Sequence, residues 1–117
     1  MANILIVDDD PNNCSLLKQN LEKCKHTTIS CYSGLDACKE AKKSVFDLVF
    51  MDIHMPGIDG LETIKRLRAQ GFSGKIIVVT ADPSSANARQ SIKVGGNGFL
   101  AKPIQVDICE VAKQFLS

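Results

Sequence analysis

Four short apolar runs and one run rich in β-branched residues recur along this chain, and a segment with helical periodicity follows each of them. The runs occupy residues 3–7, 27–31, 46–51, 75–79 and 99–101. Runs of this length are typical of buried strands, and the following segments carry an apolar residue at every third or fourth position. Regular alternation of strands and helices favours a parallel sheet that is covered by helices on both faces and connected by right-handed crossovers. We therefore predict an α/β fold with five strands and five helices.

Oxygen-bearing side chains stand where the helices should begin, because they can accept hydrogen bonds from the first free backbone N–H groups. Asp10 with Pro11 opens a first helix that we expect to end near Cys24. Further helix starts are predicted at Ser33, at Asp59 and at Asp82 with Pro83. The inner face of the last helix is predicted to consist of Ile104, Ile108, Val111 and Phe115.

The bulk composition bounds the class of protein. With 117 residues, of which 44% are apolar and 23% charged, we expect one globular domain that spans 1–117. The net charge of +1 gives no indication of a nucleic-acid or acidic-membrane surface. No apolar run reaches the length of a membrane span, and the amino terminus lacks the pattern of a signal peptide. We therefore expect a cytoplasmic protein.

Five cysteines are present, an odd number, and no pair has C-x-x-C spacing. Several of them fall on the predicted inner faces of helices or strands, where a free thiol packs like a small hydrophobe. We therefore interpret all five as buried or half-buried reduced thiols: Cys14, Cys24, Cys31, Cys38 and Cys109.

Polar side chains stand where four of the apolar runs end, namely Asp8 and Asp9, Asp52, Thr80 and Lys102. In a parallel sheet they would meet at the carboxyl edge, where open α/β folds carry their sites. Three crowded carboxylates repel one another, and Mg²⁺ with its preference for oxygen ligands would relieve that repulsion. An ammonium and a hydroxyl would suit the oxygens of a phosphoryl group.

The acceptor of such a phosphoryl group should be a carboxylate. No Cys/His nucleophile pair stands out. A phosphate-binding glycine loop precedes a helix, whereas the glycine-rich stretch 95–98 precedes a predicted strand. Aspartate nucleophiles that form aspartyl phosphates are a known chemical type.

Four motifs, taken in order and at their spacing, resemble the receiver domains of two-component response regulators. They are ILIVDD at 4–9, MDIHMPG at 51–57, VTA at 79–81, and Lys102 with Pro103. The resemblance covers essentially the whole chain and implies a flavodoxin-like doubly wound sheet of order 2-1-3-4-5. The stretch 95–104 is most similar to receivers of hybrid sensor kinases.

The resemblance also implies a set of site residues. Asp52 would be the phosphoacceptor. Mg²⁺, with Mn²⁺ able to substitute, would be bound by Asp9 and Asp52, by Asp8 through water, and by the backbone carbonyl of His54. A solvated loop histidine that gives only its carbonyl is the favoured interpretation of His54, although its side chain could also affect the lifetime of the phosphoryl group.

The remaining implied residues concern phosphoryl binding and switching. Thr80 and Lys102 would contact the phosphoryl group, and the bond from Lys102 to Pro103 is often cis in the family. Thr80 and Phe99 would switch the surface of the fourth helix, fifth strand and fifth helix. Phe99 stands where the family often has tyrosine, and an ordinary core phenylalanine is an equally weighted interpretation.

The implied partners are a histidine kinase or a histidine phosphotransfer protein, which would donate the phosphoryl group, and an unknown downstream target. Neither nucleic-acid contact by this domain nor membrane contact is expected. The implied function is regulatory, with the domain assisting only its own phosphorylation and dephosphorylation.

Two other functions remain open on the sequence alone. A haloacid-dehalogenase-type phosphatase also uses an aspartate after its first strand with a second acid two residues on, which Asp8 and Asp10 match. The chain is short for that class and lacks the later acidic pair. A pseudo-receiver would bind a partner without phosphorylation, but all the motif residues needed for phosphorylation are present.

Overall fold

The computed structural model describes residues 2–82, 84 and 86–117, in which five strands form one parallel sheet. The strands are β1 (Asn3–Val7), β2 (Thr27–Cys31), β3 (Leu48–Asp52), β4 (Lys75–Thr80) and β5 (Gly98–Ala101). Their order across the sheet is β2-β1-β3-β4-β5, and every neighbouring pair is parallel. The predicted flavodoxin-like topology is confirmed.

Five helices connect or follow the strands in the described part of the chain. They are α1 (Pro11–Lys23), α2 (Gly34–Lys43), α3 (Gly60–Ala69), α4 (Ala86–Lys93) and α5 (Ile108–Leu116). Three predicted caps are confirmed: the side chains of Asp10, Ser33 and Asp59 each accept a hydrogen bond from a backbone N–H two or three residues further on. Among these helices none combines the length and the apolar character that crossing a bilayer requires.

The predicted start of the fourth helix lies partly outside the described residues, and the start of the last helix differs from the sequence prediction. Pro83 lies outside the described residues, α4 as described begins at Ala86, and the Asp82 carboxylate accepts hydrogen bonds from the N–H and hydroxyl of Ser84. The last helix begins at Ile108, later than Ile104, because the Asp107 carboxylate caps it by accepting from two backbone N–H groups of its first turn. Ile104 therefore lies in the loop before α5, although it still packs against the core.

The core lies in two layers, one on each face of the sheet. Successive side chains of a strand point to opposite faces. Thus Leu5 packs in the layer that α2 and α3 cover, with Ile64, whereas Ile6 packs in the layer that α1 and α5 cover, with Leu21. Strand β3 and all but the first residues of β1 and β4 are buried. This double cover fixes the strand ends, and with them the loops at the carboxyl edge.

A half-buried arginine ties together the loops at the amino ends of β4 and β5, and no sequence pattern predicted this role. The guanidinium of Arg68 donates to the carbonyl oxygens of Phe72, Gly74 and Gly95 and to Oδ1 of Asn97, over distances of 2.7–3.1 Å. Burial lowers the pKa of Arg68 from its ordinary value. The five hydrogen bonds compensate for the loss of water around the charge.

One cysteine prediction is wrong. Cys24, at the end of α1, and Cys109, in the first turn of α5, form a disulfide with a Cα–Cα distance of 6.2 Å. The prediction failed because α1 and α5 pack side by side on the same face of the sheet, which brings together two residues 85 positions apart. The other three cysteines are free thiols, as predicted, with Cys14 and Cys31 buried and Cys38 half-buried.

Candidate functional site

Three carboxylates converge at the carboxyl edge of the sheet. Asp8 follows β1 directly and Asp52 is the last residue of β3, and these strands are neighbours in a register that pairs Val7 with Met51. Oxygen atoms of Asp8, Asp9 and Asp52 lie within 4.8 Å of one another. Parallel pairing of β1 with β3 thus brings these predicted residues together.

Two of these carboxylates are withdrawn from solvent. Asp8 is 4% and Asp52 5% exposed, whereas Asp9 is exposed. Burial, followed by repulsion from Asp8, raises the pKa of the Asp52 carboxyl. The ammonium of Lys102 and a hydrogen bond from the backbone of His54 act in the opposite direction but do not reverse the shift. The fold therefore places the Asp52 carboxyl where its ionised form is disfavoured, and such perturbed carboxyl groups are typical of functional sites.

Lys102 supplies the opposing positive charge. It follows β5, and its Nζ lies 3.0 Å from Oδ2 of Asp8 and 3.2 Å from Oδ1 of Asp52. Burial by itself lowers the pKa of this lysine, but the hydrogen bond to Asp8 and the two negative charges raise it above its ordinary value. Lys102 is therefore protonated at neutral pH and offsets part of the charge of the acids. The bond from Lys102 to Pro103 is cis.

The N-cap and first turn of α1 hold the Asp8 carboxylate in place. Oδ1 of Asp8 accepts a hydrogen bond from the backbone N–H of Asp10 at 2.9 Å, and Oδ2 accepts one from the side-chain amide of Asn13 at 3.2 Å. Sequence reasoning missed Asn13. Its place in the first turn of the helix after β1 is the signal that could have found it. Asp10 uses its own carboxylate as the cap of α1 and is absent from the carboxylate cluster.

Thr80 and Phe99 occupy neighbouring strands. Thr80 is fully buried at the end of β4, and its hydroxyl oxygen accepts a hydrogen bond from the backbone N–H of Asp82 at 3.2 Å. Phe99, in β5, is 40% exposed. This exposure contradicts the interpretation of Phe99 as an ordinary core residue. Removing a large apolar ring from water is favourable, so Phe99 would be stabilised by moving inward if space opened.

The loop after β3 carries His54 and Gly57, and Gly60 follows at the start of α3. His54 is exposed, and its backbone hydrogen-bonds the carboxylate of Asp52. Gly57 has φ +79°, a conformation that glycine adopts at little cost. At Gly60, the first residue of α3, a Cβ atom would lie 2.7 Å from Cα of Ile53 and closer still to the carbonyl oxygen of Asp52. Only a residue without Cβ lets α3 approach the end of β3 so closely.

The donor set fits a hard divalent cation. Three carboxylates within one small radius, two of them buried, offer the oxygen ligands that Mg²⁺ prefers. Lys102 is near enough to share their charge, but one ammonium cannot balance three carboxylates.

Comparison with known proteins identifies the family. The family model of the response regulator receiver domain matches residues 4–112. The transcriptional regulatory protein ZraR of Salmonella typhimurium is 36% identical over 104 residues, which are 89% of this chain but 24% of ZraR. The osmosensing histidine protein kinase SLN1 of Saccharomyces cerevisiae is 34% identical over 109 residues, which cover 87% of this chain and 9% of SLN1.

A solved structure agrees over its full length. The crystal structure of response regulator protein TrrA from Thermotoga maritima in complex with Mg(2+)-BeF has a TM-score of 0.86 and 32% sequence identity, and the match covers 100% of both chains. The topology, the acidic cluster and these similarities agree with one another. The chain therefore belongs to the receiver domain family of two-component response regulators.

Proposed function

We propose that residues 1–117 form a receiver domain in which Asp52 accepts a phosphoryl group from a phosphohistidine. The observation that carries the proposal is the buried Asp52 carboxylate 3.2 Å from the Lys102 ammonium, with two further carboxylates beside it. The domain acts as a regulatory switch and assists only its own phosphorylation and dephosphorylation.

The proposed metal is Mg²⁺, with Mn²⁺ able to substitute. Asp9 and Asp52 would bind it directly, Asp8 through water, and His54 through its backbone carbonyl. The spacing of the carboxylate oxygens supports this ligand set, as does the Mg(2+)-BeF complex of TrrA. When bound, the ion supplies positive charge that offsets the acids and the oxygens of the incoming phosphoryl group.

In the proposed transfer, an oxygen of Asp52 forms a bond to phosphorus while the bond from phosphorus to the donor's imidazole nitrogen breaks. The departing imidazole takes a proton from solvent. Lys102, held protonated beside Asp52, turns its ammonium to a phosphoryl oxygen, and the Thr80 hydroxyl donates to another. Such preplaced donors stabilise the charge that spreads over the phosphoryl oxygens in the transition state.

The proposed switch follows from the added charge. A phosphoryl group adds about −1.5 to −2 charges at neutral pH, with three strong acceptor oxygens. The Thr80 hydroxyl, which now accepts from the backbone of Asp82, would turn toward them. Phe99 would then move inward from its half-exposed position, and the surface of α4, β5 and α5 would change. This is a shift between two pre-existing conformations.

A histidine kinase or a histidine phosphotransfer protein is the proposed donor, in the cytoplasm. The similarity to part of the histidine protein kinase SLN1 supports this pairing and the interpretation as a receiver of a hybrid kinase. The identity of the downstream target is unknown, and we propose that this domain contacts neither nucleic acid nor membrane.

The test is the intact mass of the protein after incubation with acetyl phosphate and Mg²⁺. We expect one phosphoryl adduct on the wild type, none in the presence of a chelator, and none on Asp52→Asn. Asp36→Asn is the matched control, because it makes the same change at an exposed carboxylate of α2 and should be labelled like wild type.

Absence of an adduct on the folded wild type would refute the proposal. Sustained release of phosphate from a generic phosphate ester would favour the haloacid-dehalogenase-type phosphatase, whereas a receiver is labelled once per molecule. An adduct that persists in Asp52→Asn would refute the assignment of the acceptor.

A further inference from the structure

The disulfide between Cys24 and Cys109 lies at the opposite end of the sheet from Asp52. Both cysteines are half-buried and line a wide groove at the amino edge, together with Ala2, His26 and Ser117. A small thiol or a reductase can therefore reach these sulfur atoms without entering the carboxylate site.

The other cysteines are poor competitors for oxidation. Burial, with the charge of Asp8 second, raises the pKa of the Cys14 thiol to about 11, and burial raises that of Cys31 to about 12. Burial also raises the pKa of Cys38, which has no cysteine partner among the described residues. Because the thiolate is the reactive form, these three thiols are largely inert at neutral pH.

We propose that Cys24 and Cys109 form a reversible redox site that joins α1 to α5 when it is oxidised. The co-reactants belong to the class of small-molecule or protein disulfides and dithiols, of which glutathione disulfide and dithiothreitol are the probes. This inference rests on the proposed function in two respects. A receiver that works in the cytoplasm meets a reducing environment, where disulfides are transient and regulatory, and α5 belongs to the surface that is proposed to change on phosphorylation.

The exchange proceeds in two balanced steps. One thiolate attacks a sulfur of glutathione disulfide, a mixed disulfide forms, and one glutathione thiolate leaves. The second cysteine thiolate then displaces the other glutathione. Two electrons pass from the protein to glutathione, and the two thiol protons end on the two reduced glutathione molecules.

Oxidation would restrain α5 and leave the carboxylate site at the other end of the sheet unchanged. Ile108 and Ala112 of α5 already pack with Leu17 and Leu21 of α1 in one layer of the core. The covalent link adds a tether at the beginning of α5, so that this helix can move less relative to α1. Since α5 belongs to the surface proposed to change on phosphorylation, the redox state of the pair sets how strongly that surface responds.

The test counts free thiols by alkylation with N-ethylmaleimide under denaturing conditions, followed by intact mass. After native incubation with glutathione disulfide, we expect three adducts, and five after dithiothreitol. Cys24→Ser and Cys109→Ser should each give four adducts in the reduced state and lose no pair on oxidation. The matched control Cys38→Ser removes one thiol outside the pair and should still lose two on oxidation. Five adducts after glutathione disulfide, or loss of a pair in Cys24→Ser, would overturn the proposal.

Two further measurements test the consequence for α5. The oxidised protein should melt about 20 °C higher than the reduced one, because the link closes a loop of some 85 residues in the unfolded chain. Hydrogen exchange in α5 should change less on treatment with acetyl phosphate in the oxidised than in the reduced protein. An equal change in both states would refute the restraint.

The two proposals fail separately. Asp52→Asn cannot take the phosphoryl group but should still form the disulfide. Conversely, Cys24→Ser should still take the phosphoryl group if its circular dichroism and melting curve match those of the reduced wild type.

Discussion

Replacement of Gly60 by alanine should both slow phosphorylation of Asp52 and lower the stability of the domain. An added Cβ would lie 2.7 Å from Cα of Ile53, whereas ordinary contacts of a Cβ begin at 3.4 Å, so the backbone must yield by at least 0.7 Å. The carbonyl oxygen of Asp52 is nearer still. Both obstructing atoms belong to backbone and cannot rotate away. Helix α3 and the end of β3 must therefore move apart.

The size of that shift sets the expected loss of rate. Misplacement of a reacting group by about 1 Å can cost on the order of 100-fold in rate. Crowding of a well-packed site costs about 2 kcal/mol in the free energy of unfolding. We therefore expect Gly60→Ala to fold with reduced stability and to form the Asp52 adduct about 100-fold more slowly than wild type.

The assay is the rate of adduct formation with acetyl phosphate and Mg²⁺ by intact mass, with urea denaturation in parallel. Gly57→Ala is the matched control. Gly57 has φ +79°, and a Cβ atom added there would meet no atom within 4 Å, so alanine should cost about 1–2 kcal/mol in strain and leave the rate within about twofold. If both variants keep the wild-type rate, or both lose it equally, the close approach of α3 does not position Asp52.

Three other changes test the site and the core. In the presence of a chelator at neutral pH, Asp52→Asn should raise the urea midpoint. The fold raises the pKa of the Asp52 carboxyl above its ordinary 3.8, so the wild-type protein loses stability as the pH rises through that raised pKa. The midpoints of variant and wild type should converge below pH 3.8, and a gap that widens on acidification would contradict the sign. Lys102→Gln should bind Mg²⁺ more tightly in isothermal titration calorimetry, because it frees Asp8 and Asp52 from the ammonium. The same variant should form the adduct more slowly, because it lacks the ammonium that binds a phosphoryl oxygen. Weaker Mg²⁺ binding would show that Lys102 does not compete with the cation. Leu67→Ala should cost about 3 kcal/mol in urea denaturation, since Leu67 is fully buried in the layer under α3, and a cost below about 1 kcal/mol would refute that packing.

The fold was predictable because its signals are local. Four strands are mainly apolar runs and β2 is rich in β-branched residues. The caps at Asp10, Ser33 and Asp59 act within three residues of themselves. The start of α5 was mispredicted because Ile104 is apolar and continues the helical spacing, while the capping carboxylate of Asp107 decides where the hydrogen-bonded turns begin.

The site was predictable only as far as strand ends determine it. The proximity of Asp8, Asp52 and Lys102 could be predicted from the parallel order of the strands alone, since each residue follows or ends a strand. The support from Asn13 and the pairing of Cys24 with Cys109 depend on how helices pack and turn. Sequence spacing holds no information about two side chains that only tertiary packing makes neighbours.

The contacts of Arg68 have a consequence for how the domain opens locally. One guanidinium holds the turn after α3, through Phe72 and Gly74, and the turn before β5, through Gly95 and Asn97. If either turn unfolds, the Arg68 guanidinium loses hydrogen bonds, and the same guanidinium holds the other turn in place. The two turns, which are distant in the chain, should therefore exchange their amide hydrogens as one cooperative unit.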